Sequence, residues 1–173
     1  MMAQQQSFEF RSAVITVSDR DALLATIREI AHLHHTHIVC FDAEKMAGLE
    51  HAVSAIRHAQ HSFSNGAEIS NSFEMEALLY AAGSRQCSIA ASFGIHEGKN
   101  HLFICCCPPP SDAWNALARY MDFINETWDE PVPEKTNRLM ALFGITPEEI
   151  EAAGTDRVTV LVIERVALLD VSK

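Results

Sequence analysis

Apolar positions change their period several times along the chain, and each change marks an element. FEFRSAVITV, residues 8–17, alternates and reads as a strand. SDRDALLATIREIAHLHH moves to helical spacing, with Ser18 as its cap and Leu23, Leu24, Ile27 and Ile30 facing inward. THIVCFDA is a second short strand, and a helix over about 43–62 follows, on which Met46, Leu49, Val53 and Ile56 form one stripe. NHLFICCCPPP reads as a buried strand stopped by prolines, with Cys105 and Cys107 on one face and Cys106 on the other. Trp114, Leu117, Met121, Ile124 and Trp128 predict a helix over 112–128, and DEPVPE is a loop. Two short helices at about 134–143 and 147–153 are separated by Gly144, the second opened by Thr146-Pro147. The last segment, TDRVTVLVIERVALLDVSK, fits both periods. Its Val and Ile content favours a strand, whereas its length and a cap at Thr155 or Asp156 favour a helix.

Between the second helix and the cysteine-rich strand lies SNSFEMEALLYAAGSRQCSIAASFG, a helical run broken in its middle. Asn71 with Glu74 makes a capping-box pattern, and Met75, Leu78, Leu79 and Ala82 recur on one face. Gly83 suits a left-handed helix end, Ser84 suits the cap of a second helix facing inward with Ile89, Ala90 and Phe93, and Gly94 suits its stop. The break sets a new helix start beside Arg85 and Gln86, where free amides attract an anion or a sugar hydroxyl. The plain alternative is an ordinary helical corner with a solvated arginine.

The chain's 173 residues suit one domain of mixed α/β type. No run reaches the roughly 20 apolar residues of a membrane span. MMAQQQSFEF lacks the basic start and apolar core of a signal peptide, so a cytoplasmic location is expected. A net charge of −10 opposes general binding to duplex nucleic acid, yet leaves room for a small site that reads a few unpaired nucleotides. Five cysteines without framework spacing argue against a disulfide scaffold and read as small buried side chains. HLHHTH, with His32, His34, His35 and His37, straddles a helix end and a strand start, so its imidazoles diverge and no metal or cofactor is expected there. No G-x-S-x-G, H-E-x-x-H, phosphate-loop or dinucleotide pattern is present, and binding is favoured over catalysis.

The run Asn71-Ser72-Phe73, Met75-Glu76, Leu78, Ala81, Gly83 and Gln86 resembles the signature of the small regulatory subunit of the KEOPS (EKC) complex, the kinase-binding (PRPK-binding) protein family. GIHEGKNHLFICC and VIERVALLDVSK are similar to that family's turn-and-strand and its helical ending. The resemblance implies an α+β fold, a single domain over 1–173, with a small mostly antiparallel sheet of about three to four strands and about seven helices. It implies a subunit without catalysis of its own, which binds and activates a small atypical kinase/ATPase and serves the threonylcarbamoyl transferase subunit indirectly. It also implies a grip on the single-stranded CCA end of tRNA, carried here by Asn71, Ser72, Glu76, Tyr80, Gly83, Ser84, Arg85 and Gln86, with Lys45, Arg57 and His58 as further sources of positive charge. The final segment carries more apolar residues than one inward stripe requires, so Val162, Val166 and Leu169 are expected to face the kinase. The competing expectation, from another class, is a stand-alone cysteine- or metal-dependent enzyme built on HLHHTH or Cys105–Cys107.

Overall fold

Alternation is realised where the sequence shows it most clearly. In the computed structural model, which describes residues 6–110, 112–130 and 132–171, β1 (Glu9–Val17) and β3 (Gly98–Cys107) pair antiparallel from Glu9 opposite Cys106 to Val17 opposite Gly98. β2 (His37–Asp42) pairs antiparallel on the other side of β3, and β4 (Asp122–Ile124) pairs antiparallel with β1. The order β2-β3-β1-β4 leaves β2 and β4 as edges.

Both sheet faces are covered. Val39, Phe41, Phe103, Cys105 and Cys107 pack into one core with α2 (Leu49–Ser64), α3 (Phe73–Ala82), α6 (Pro133–Phe143) and α8 (Val158–Val171). Ile38, Cys40, Leu102, Ile104 and Cys106 face a second core with α1 (Arg20–Leu33) and α5 (Ala113–Leu117). The cysteine triplet thus splits between the faces as its alternation predicts. With α4 (Cys87–Ala91) and α7 (Pro147–Ala153), the described residues form eight α-helices and a four-stranded antiparallel sheet, an α+β fold.

Several local expectations are corrected. Asp19, not Ser18, caps α1, its carboxylate accepting from the Ala22 amide. The helix expected over 43–62 is a 3-10 turn at Ala43–Lys45 followed by α2, because Gly48, at φ 102, lies against the Asp129 carboxylate, which caps Leu49 instead. The helix expected over 112–128 stops after Leu117. The free edge of β1 recruits residues 122–124, and Phe123 packs edge-on against Trp114 at 5.6 Å. Backbone pairing outweighs side-chain period there. The ambiguous last segment is helical, its Leu161, Val162, Val166 and Leu169 forming one buried face; Ser172 and Lys173 lie outside the described residues.

Candidate functional site

Gly83 ends α3 in the left-handed conformation (φ 60, ψ 34). Its amide donates to the Tyr80 carbonyl and the Ser84 amide to the Leu79 carbonyl, so the helix end is closed by its own backbone. The other end is capped by Ser72, whose hydroxyl accepts from the Met75 amide; this single cap replaces the predicted Asn71–Glu74 box, and the Glu74 carboxylate bonds His37 instead. Ser84 does not cap α4. Its hydroxyl accepts from the Gln86 amide and rigidifies the turn, while Gln86 takes the cap position without a side-chain bond. α4 is a single turn that ends at Ser92, short of Gly94, and Ile89 lies exposed rather than inward. The turn presents Arg85, Gln86, Cys87 and Ser88 to solvent in a row. Gly83 lies 3.6 Å, measured from the position of a Cβ, from the Arg165 carbonyl of α8, and Lys45 donates to the Ser92 carbonyl at 2.8 Å.

The eight residues assigned to an RNA end do not converge. Gly83 to Gln86 share the turn, whereas Asn71 and Ser72 sit at the opposite end of α3, roughly 16 Å away at 1.5 Å per residue. Glu76 and Tyr80 are fully buried. The Glu76 carboxylate accepts from the Ile69 and Ser70 amides at 2.8–3.1 Å, and so holds the preceding loop. The Tyr80 hydroxyl donates to Asp170 and lies 2.7 Å from Ser62 Oγ, while His58 stacks on its ring at 5.0 Å and bonds the other Asp170 oxygen at 2.8 Å. These groups bind α2, α3 and α8 to one another.

The kinase-facing expectation is also corrected. Val162, Val166 and Leu169 are buried, because they form the stripe that seats α8 on the core; Val160, Leu168 and Val171 are its large exposed apolar residues. Sequence reasoning missed a larger feature, a groove of about 1000 Å³ between α2 and α8. Leu49, Val53 and Ile163 are its large apolar lining residues, and Glu50, Arg57, His58, His61, Asp129 and Asp170 its charged and imidazole ones. The signal lay in Ala52, Ala55 and Ala59. These small residues share the inward face of α2 with Ile56, which like Met46 is buried as the sequence predicts, and leave Leu49 and Val53 only partly buried at its margin.

His51 is a satisfied core histidine. Its Nδ1 accepts from the Ala47 amide at 3.0 Å and its Nε2 donates to the Ala81 carbonyl at 2.8 Å. Burial lowers its pKa to about 4. In HLHHTH, His37 bonds Glu74 at 2.7 Å, which raises the pKa of His37 against the opposing effect of burial. Among the described residues no three His, Cys, Asp or Glu side chains are placed to hold a metal ion. Burial pushes the Cys40 and Cys106 thiols up to about 12 and raises those of Cys105 and Cys107, opposing the thiolate a nucleophile needs.

No described helix is long and apolar enough to cross a membrane. A comparison with curated proteins returns no match. The family described as "Kinase binding protein CGI-121" matches residues 16–170, a span that runs from the last residues of β1 almost to the end of α8 and holds both the Gly83 corner and the α2–α8 groove. The chain belongs to the CGI-121 kinase-binding protein family.

Proposed function

We propose that this protein is the non-catalytic regulatory subunit of the KEOPS complex, binding and activating its small atypical kinase/ATPase and holding the CCA end of tRNA during threonylcarbamoyl adenosine modification. The kinase docks in the α2–α8 groove, whose mixed apolar and polar lining suits a partner helix. The RNA end is held at Gly83–Gln86, where the Gly83, Ser84 and Gln86 amides are spent within the turn and the exposed Arg85 and Gln86 side chains face the ligand. One observation carries the reading. The turn is internally satisfied at Gly83 and Ser84, so Arg85 and Gln86 project from a rigid base in a chain whose net charge is −10. A site of this size reads bases and hydroxyls, and leaves the duplex to other subunits.

Arg85→Glu tests it. Loss of a charge-assisted donor costs about 1.5–3 kcal/mol, so tRNA affinity should fall by roughly 10- to 150-fold, with kinase pull-down and melting temperature nearly unchanged. Trimming the CCA end should weaken wild-type binding and add little in the variant. Equal binding of intact and trimmed tRNA by the wild type would return Gly83–Gln86 to an ordinary corner.

A further inference from the structure

β2 is an edge strand, and its outer edge opens into a cleft of about 490 Å³ between α1 and α3. Asp42 sends its amide out of the ladder to the Phe93 carbonyl at 2.7 Å, and Thr36 sends its amide to Ala31. Residues two apart on a strand share a direction, so Ile38 and Cys40 present their N–H and C=O groups to the same open side. Among the described residues, none of these four groups has a partner outside the ladder. Thr36 to Cys40 line the cleft without interruption, Leu24, Ile27 and Ala31 form one wall, and Met75 and Leu78 form the other. Exposed strand edges are normally blunted or covered. Here the cleft between the flanking helices reaches this edge, with Gly94 beside the Cys40 carbonyl.

The charge at the mouth selects the occupant. Arg20, Arg28, His32 and His37 ring it against one carboxylate, Glu74, which is bonded to His37. Arg20 also donates to the Ile95 carbonyl, which fixes its position. In a chain this acidic, such a rim is a local reversal of charge.

We infer that the β2 edge takes an extended segment of a partner protein, added as a fifth strand, with apolar residues alternating toward α1 and α3 and acidic residues at the arginine rim. Main-chain bonds to Ile38 and Cys40 hold the segment, and the two apolar walls read its side chains. The cleft shares no lining residue with the α2–α8 groove, so the two can be filled together and are tested separately.

The probe is a random twelve-residue peptide library selected on the full-length wild-type protein. Enriched peptides should alternate apolar residues with Asp or Glu. Backbone N-methylation of such a peptide at every second position should weaken it at least tenfold, with the intervening positions tolerant. Arg28→Glu should weaken it about three- to tenfold, and Cys40→Pro, which removes one outward donor from an edge strand, at least tenfold. Absence of enrichment, a flat methylation scan, or undiminished binding to a folded Cys40→Pro protein would overturn the inference. Sedimentation of the free protein covers the remaining occupant: a dimer broken by Arg28→Glu assigns the edge to a second copy and not to a partner. The methylation scan uses wild-type protein throughout, so the outcome does not depend on how a variant folds.

Discussion

His51 ties the turn before α2 to the end of α3 from inside the core that the two helices share. Its ring joins the Ala47 amide, just before α2, to the Ala81 carbonyl near the end of α3, and it does so only when neutral. Burial is the main cause of its depressed pKa, and Lys135 adds a smaller repulsion. The unfolded chain binds a proton near pH 6.5 and the folded one near 4, so this contribution is complete above about 6.5 and is lost as pH falls toward 4. Its full size is on the order of 3 kcal/mol. Denaturant unfolding of wild type between pH 7 and 4.5 should show that decline. His51→Gln should cost about 1–3 kcal/mol at pH 7 and flatten the acid limb. Parallel pH curves for the two proteins would exclude His51 as the source. His37 acts in the opposite sense: its raised pKa adds stability at low pH that disappears as pH climbs through that value.

Helix α8 separates two roles that the sequence presents as one excess of apolar residues. Its inner stripe carries the core, so a charge at Val166 or Leu169 should unfold the protein and reveal nothing about partners. The groove side is the informative one. Ile163→Glu or Val53→Glu should abolish kinase pull-down and leave the melting temperature within a few degrees of wild type, since both positions line the groove and are only partly buried. Retention of kinase by both folded variants would move the docking site elsewhere. Legibility of the elements follows the same division. Leu79, Ala82 and Gly83 were readable because local chemistry and burial agree at the end of α3. β4 was not, since three residues carry no period and their pairing is set by an edge more than a hundred positions earlier in the chain. The orientation of α2 was legible at Ile56 and hidden at Leu49 and Val53 for a different reason. Large apolar residues suggest an inward face more strongly than alanines do, yet close packing of α2 on α3 needs the alanines. At the candidate site, the turn and its glycine were legible, and the burial of Glu76 and Tyr80 was not, because buried polar groups declare themselves only through partners distant in sequence.

The molecule as a whole is a thin sheet clad on both faces, and its thiols report how complete the cladding is. Cys40, Cys105, Cys106 and Cys107 are buried, whereas Cys87 is exposed on the corner turn. A thiol-reactive chromophore should therefore label one site rapidly in the native protein and the other four only on denaturation. Rapid native labelling of two or more thiols would contradict the two-faced core. The same experiment with tRNA bound should slow labelling at Cys87 if the RNA end covers the turn.

The ladder that joins Glu9 to Cys106 also imposes a schedule on synthesis. β1 leaves the ribosome well before its long partner, which is completed only when Cys107 has been translated. At 5–20 residues per second the wait is on the order of ten seconds. Throughout that interval a strand-forming segment, FEFRSAVITV, has neither neighbour, and β4 comes later still. The nascent chain therefore carries an unpaired adhesive ribbon in the crowded space outside the exit tunnel. Glu9 and Arg11, whose charges both stay exposed in the finished fold, are the only charged side chains placed to keep that ribbon from joining the wrong sheet.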